Sequence, residues 1–108
     1  MDELAKIKTL FEQSLPLFNA LGDPIRQQLI LLMIDGQRRS VAELTAFTAL
    51  SRPTISHHLK VLKDAHIITS ERDGTKTYYR PQLGAYFHPI KELVNVVEKV
   101  EHQKGKRG

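Results

Sequence analysis

Ser40-Val-Ala-Glu-Leu-Thr-Ala-Phe-Thr-Ala-Leu-Ser-Arg-Pro-Thr-Ile-Ser-His-His-Leu-Lys-Val-Leu-Lys-Asp-Ala65 reads as two short helices joined by a tight turn, and a basic β-hairpin follows it. Ser40 and Glu43 form an S-x-x-E capping box, which predicts a first helix over about 41–49. Ser51 is the expected N-cap of a second helix over about 52–65, with Ile55, Leu59 and Leu62 as its core stripe. At about 100° per residue, Pro53, His57, Lys60 and Asp64 fall opposite that stripe, with Thr54 and Ser56 on its flanks. Ile67 to Arg72 reads as a strand, Asp73-Gly74 as a turn and Thr75 to Arg80 as the returning strand, which Pro81 ends. A helix, a tight turn and a second helix with small polar residues outward is a geometry that presents side chains to a DNA groove, and the hairpin adds a second basic surface.

Working outward, residues 3–21 carry Leu4, Ile7, Leu10, Phe11, Leu15, Phe18 and Leu21 at helical spacing. Pro16 falls among them, which predicts two pieces or a kink rather than one straight helix. Gly22 ends this segment. Asp23-Pro24 restarts the chain as N-cap and first helical residue, and the apolar stretch to Ile34 suits a buried central helix closed by Asp35-Gly36. A last helix over about 84–102 carries Phe87, Ile90, Leu93, Val94, Val97 and Val100 on one stripe. Too few apolar elements remain to cover both this stripe and the first helix. A homodimer is therefore expected, its interface drawn from Leu4, Ile7, Phe11, Phe87, Ile90, Leu93, Val94 and Val97.

At 108 residues there is room for one small domain, expected over 1–103, with a disordered basic tail at 104–108. Apolar content of 41% and charged content of 26% are ordinary for a globular chain. The net charge of +4 is unevenly spread: residues 36–80 hold eight Lys/Arg against four acids, whereas residues 1–35 hold three against five. With no cysteine, disulfides, thiolate metal sites and thiol redox sensing are excluded. Asp2 and Glu3 at the start, and a longest apolar run of only Leu29 to Ile34, argue against a signal peptide and a membrane span, so a cytoplasmic protein is expected.

Three stretches in order, Leu17-Phe-Asn-Ala-Leu-Gly-Asp-Pro-Ile-Arg26, Leu50-Ser-Arg-Pro-Thr-Ile-Ser-His-His-Leu-Lys-Val-Leu-Lys-Asp-Ala65 and Gly74-Thr-Lys-Thr-Tyr-Tyr-Arg80, resemble the ArsR/SmtB family of bacterial repressors over about residues 14–100. The resemblance implies a homodimeric winged helix-turn-helix protein that binds a palindromic operator and leaves it when an inducer arrives. Family members are often metal or metalloid sensors, and this sequence departs from their patterns. The thiolate site needs cysteines, and the places of the interhelical zinc ligands align with Leu83, Ala85, Val96 and Lys99. A further departure is His66, where the family usually has glycine after the recognition helix; a left-handed cap is less comfortable for His.

The expected architecture is α+β and mostly helical: a winged helix-turn-helix with about five helices and a two-stranded β-hairpin wing. Arg52, Thr54, Ser56 and His57 are the candidates for DNA base contacts, since Arg bonds guanine O6/N7 and the hydroxyls are tolerant donors and acceptors. Ser51, Lys60, Lys63, Arg72, Lys76 and Arg80 are the candidates for phosphate contacts, which add affinity without sequence information. Tyr78 and Tyr79 alternate across the strand, one for the core and one for the outside. His58 lies about 60° from the core stripe and is expected to be structural. His88 and His102, about 21 Å apart along one helix, cannot share an ion within a chain. An antiparallel dimer would bring them together, but a solvated pair is the preferred reading, and no metal or other cofactor is expected. No phosphate loop, H-E-x-x-H, elbow serine or motif-placed carboxylate pair points to an enzyme. The expected function is a sequence-specific DNA-binding regulator, a homodimeric repressor acting on double-stranded DNA with its inducer unassigned. The competing class, a winged-helix module binding another protein, predicts neutral or acidic recognition surfaces, opposite to the charge seen here.

Overall fold

A computed structural model describes residues 2–107, with the side chains of 83, 85 and 104–107 outside the description; of the tail expected as disordered at 104–108, residues 104–107 continue the last helix and 108 lies outside the described residues. The elements run α1 (Glu3–Leu21), α2 (Pro24–Leu31), β1 (Arg39–Ser40), α3 (Val41–Phe47), α4 (Arg52–Asp64), β2 (Ile68–Asp73), β3 (Lys76–Pro81), α5 (Leu83–Tyr86) and α6 (His88–Arg107). The fold is mostly helical with a β wing. No helix among the described residues is long and apolar enough to cross a membrane.

Local chemistry sets most helix starts. Asp2 accepts from the Ala5 N–H at 2.7 Å, and Asp23 accepts from Ile25 and Arg26 at 2.8 and 3.2 Å, with Pro24 in the first turn. The capping box closes as expected: Ser40 Oγ accepts from the Glu43 N–H, and the Glu43 carboxylate accepts from the Ser40 N–H. Ser51 caps α4 by accepting from Thr54.

Several predicted boundaries differ: α3 stops at Phe47, and the hairpin strands sit one residue later than read, so that the turn falls on Gly74-Thr75 and Pro81 is the last residue of β3. Of the two alternatives at Pro16, two pieces or a kink, the first is excluded: α1 runs as one helix from Glu3 to Leu21. A mid-helix proline removes one N–H and crowds the preceding turn. Here that cost is offset because Leu10, Ser14, Leu17 and Ala20 form one buried stripe on α1, part of it packed against α6. α2 ends at Leu31 rather than Ile34; consecutive turns then bury Met33 and bring the chain to Gly36 at φ +84°.

The expected two-stranded wing has a third strand. The sheet order is β1-β3-β2, all antiparallel, with Arg39 opposite Tyr79, Ser40 opposite Tyr78, and Asp73 opposite Lys76 at the hairpin tip. The last helical region, expected as one helix from about 84, is split into α5 and α6, and Phe87 stands between them.

One core cluster joins α1, α2, α3, α4 and β2 through Leu17, Leu29, Met33, Leu44, Ile55, Leu59, Leu62, Ile67 and Ile68. Each of these side chains contributes about 1.5–3 kcal/mol by burial, and together they orient α4 against the wing. A smaller cluster, Leu10 with Leu93 and Val96, zips α1 to α6, reinforced by the Lys6–Glu92 and Lys99–Glu3 pairs at 3.1 and 3.6 Å.

Candidate nucleic-acid interface

The middle of α4 is held by a relay that begins in α1. Arg26 donates from Nε to the Ala20 carbonyl at 2.8 Å and from Nη2 to the Asn19 carbonyl at 3.0 Å, capping the C-terminal end of α1. Its Nη1 lies 3.3 Å from His58 Nδ1 on α4, and Asp23 lies 3.9 Å from the same guanidinium. The N–H of Arg26, then that of Ile25, together with the charges of Arg26 and His58, hold the Asp23 carboxyl below its ordinary value of 3.8 against a smaller opposing effect of desolvation. Asp23, Arg26 and His58 thus tie the end of α1, the start of α2 and the middle of α4 into one unit. His58 is buried and structural, as expected.

The outer surface of α4 then divides. Arg52, Ser56 and His57 are exposed. Thr54 is half-buried, and its hydroxyl bonds Ser51 Oγ at 2.8 Å. Ser51 is committed to its own helix by the cap. Lys60 pairs with Asp64 at 3.0 Å, whereas Lys63, Arg72 and Lys76 are exposed and have no ion partner among the described residues. Arg52 and Ser56 open onto a cleft of about 280 Å³ whose other wall is the wing, Thr75, Lys76, Thr77 and Tyr79, with Ser40, Val41 and Ala42 at its base. No acidic side chain lines it.

The wing has two unlike faces, because directly opposed residues share a side of the sheet. Arg72, Thr77, Ser70 and Tyr79 share one, and Tyr79 packs on the core. Glu71, Asp73, Lys76, Tyr78 and Arg80 share the other. There Arg80 pairs with Glu71 at 3.1 Å. Arg38, which the sequence reading counted only toward the charge, reaches Glu71 at 3.3 Å and Asp73 at 2.6 Å while its guanidinium lies 4.1 Å over the Tyr78 ring. The Asp73 hydrogen bond above all, with Glu71 behind it, raises the Arg38 pKa further and keeps it charged. Of the expected phosphate contacts, Lys60 and Arg80 therefore already hold acidic partners. The only sequence signal for the Arg38 clasp was an arginine beside the capping box and two acids on alternate residues of the hairpin.

Of the expected interface residues, Leu4, Phe11 and Val94 are exposed; Ile7, Phe87, Ile90 and Val97 are half-buried; and Leu93 is used inside the chain. Leu15 and Phe18 join the exposed set, with the Phe18 ring 6.4 Å from that of Phe11. Their spacing was visible on the first helix, but which side faced α6 was not. His88 and His102 are both exposed. Among the described residues no group of three or more His, Asp or Glu is placed to hold a metal ion.

Residues 23–70 match the family model described as bacterial regulatory protein, arsR family. The HTH-type transcriptional regulator YgaV of Escherichia coli (strain K12) is 36% identical over 97 residues, covering 89% of this chain and 97% of that protein. The transcriptional repressor SdpR of Bacillus subtilis (strain 168) is 32% identical over 82 residues, covering 76% and 90%. Among solved structures, the homodimeric winged helix-turn-helix DNA-binding domain of Mb0332 from Mycobacterium bovis superposes with a TM-score of 0.65 at 29% identity, covering 85% of this chain and 83% of that one. With the same order of helices and wing, and with relatives aligned along nearly their whole length, the chain belongs to the arsR family of bacterial regulatory proteins.

Proposed function

We propose that the chain is a homodimeric repressor that binds a palindromic operator, with α4 in the major groove and the hairpin wing along the adjacent backbone. The observation that carries this reading is the acid-free cleft between the exposed side of α4, with Arg52, and Thr75 and Thr77 of the wing. On such a surface phosphate attraction meets no internal competitor. His57, Ser56 and Thr54 are the proposed base-edge contacts, and Lys63, Arg72 and Lys76 the leading phosphate contacts. Lys60, Arg80 and Ser51 would first have to release their present partners.

The exposed apolar set Leu4, Phe11, Leu15, Phe18 and Val94 supports pairing with a second copy through α1 and α6. A two-fold dimer presents two recognition helices and so favours an operator with two-fold symmetry. Repression is the direction carried by the SdpR likeness. No inducer is assigned.

The test is titration of the full chain against its own upstream promoter DNA and a scrambled duplex of equal length, from low to high salt, with sedimentation of the free and bound protein. The reading expects a dimer, tighter binding to the promoter DNA and a steep salt slope. Equal weak binding to both duplexes, or a monomer on DNA, overturns it.

A further inference from the structure

The roles within the cleft follow from its walls. At about 100° per residue Arg52 lies about 140° around α4 from His57, the residue opposite the core stripe. Arg52 is therefore on the wing-facing flank, beside Ser56 and across from Thr75 and Thr77, and has no acidic partner among the described residues. The backbone donors nearby are largely consumed. Pro53 has no N–H, the Thr54 N–H goes to Ser51 Oγ, and the Ile55 N–H goes to the Ser51 carbonyl. The N–H groups of Ser40 and Glu43 are closed by the capping box. What remains to meet an anion is the Arg52 guanidinium on one wall and the hydroxyl side chains of Thr75 and Thr77 on the other.

We infer that this cleft is a seat for one phosphodiester group of the DNA backbone, held by Arg52 against the hydroxyls of Thr75 and Thr77 on the wing, so that Arg52 is a backbone anchor and not a base reader. This revises the role that its place at the head of the recognition helix implied, and it rests on the DNA-binding reading above. A guanidinium facing hydroxyls across a cleft suits a tetrahedral anion, which accepts from several directions at once. A base edge needs the guanidinium laid flat in the groove as a bidentate fork, aimed from the outward side of the helix. Sequence discrimination then falls to His57 and its neighbours on α4.

The experiment compares wild type, Arg52→Ala and Arg52→Lys on the promoter and scrambled duplexes, and repeats the promoter titration with duplexes in which single phosphates are replaced by neutral methylphosphonates. Arg52→Ala is expected to weaken both duplexes by the same factor and to lower the salt slope by about 0.9 for each protomer's lost contact. Arg52→Lys is expected to restore most of the loss, because a phosphate asks for charge where a guanine asks for the fork. One neutralised phosphate per half-site is expected to weaken wild type and leave Arg52→Ala unaffected. If Arg52→Ala instead relaxes the preference for the promoter duplex while the salt slope holds, or if no single phosphate loses its effect in that variant, the seat is refuted although the protein still binds DNA. If wild type binds neither duplex at low salt, the DNA-binding reading falls and the seat with it.

Discussion

The imidazole of His66 stacks on the ring of Tyr86, with centroids 4.6 Å apart and planes 15° from parallel, at a residue whose φ is +61°. His66 ends α4 in a Schellman motif: its N–H donates to the Lys63 carbonyl, and the Ile67 N–H donates to the Leu62 carbonyl, both at 3.0 Å. Leu62 and Ile67, the hydrophobic partners of that motif, are both fully buried. The left-handed backbone costs a non-glycine residue about 1–2 kcal/mol, and the stack returns about 0.5–1.5 kcal/mol. The end of the recognition helix is thereby joined to α5, ahead of the α6 helix.

His66→Gly is therefore expected to change stability by less than about 1 kcal/mol in the wild-type background, strain relief and lost stacking nearly cancelling. In a Tyr86→Ala background, where no stack remains to lose, the same change is expected to stabilise. Chemical denaturation of the four proteins of this cycle checks it; equal effects in both backgrounds would mean the stack contributes nothing.

Asp23 supplies a pH dependence of known sign. Its folded pKa is depressed, so its contribution is fully present above the ordinary value of 3.8 and is lost as pH falls through the lower folded value. Asp23→Asn keeps an oxygen acceptor for the cap but not the charge beside Arg26. The variant is expected to be less stable than wild type at neutral pH and to converge on it in acid. Urea midpoints measured from neutral pH down to about pH 3 decide the matter; a constant gap across that range would exclude the carboxylate.

Arg38→Ala is expected to loosen the wing with little change in global unfolding. Amide exchange should rise over 71–78, where Glu71, Asp73 and Tyr78 lose their common partner. Asp73→Ala in the same background should add little. Unchanged exchange in the hairpin would show that strand pairing alone holds it.

Ser14 is wholly buried on α1, and its Oγ has no hydrogen-bond partner among the described residues. A buried unpaired hydroxyl costs about 1–3 kcal/mol, and alanine suits a helix better. Ser14→Ala is expected to stabilise by about that amount in thermal or denaturant unfolding. A destabilised variant would mean the hydroxyl is satisfied in solution.

Phe11→Glu places a charge in the exposed apolar set of α1, away from the Leu10–Leu93–Val96 cluster that binds α1 to α6. The proposed dimer is expected to dissociate while circular dichroism stays native-like, and promoter binding to fall by more than tenfold. Sedimentation showing an intact dimer would move the interface elsewhere.

Much of this molecule was legible before folding because the chemistry is local. The caps at Asp23, Ser40 and Ser51, a hairpin turn at Gly74 (one residue later than read), the core stripe of α4 and the unusual His66 each depend on residues a few positions apart. Family motifs in the right order carried the rest of the architecture. Tertiary structure decided what depends on distant partners. β1 is two residues long and exists through pairing with β3. α1 passes through Pro16 with a buried stripe running along it on both sides of the proline. Arg80, read as a phosphate contact, has Glu71 nine residues away as its partner, and Arg38 clasps acids more than thirty residues on. Periodicity alone leaves Arg52 on a polar helix face; only the hairpin folded across from it makes that flank the wall of a cleft. A one-dimensional pattern gives each side chain an angle around its own helix, and only packing determines what stands opposite.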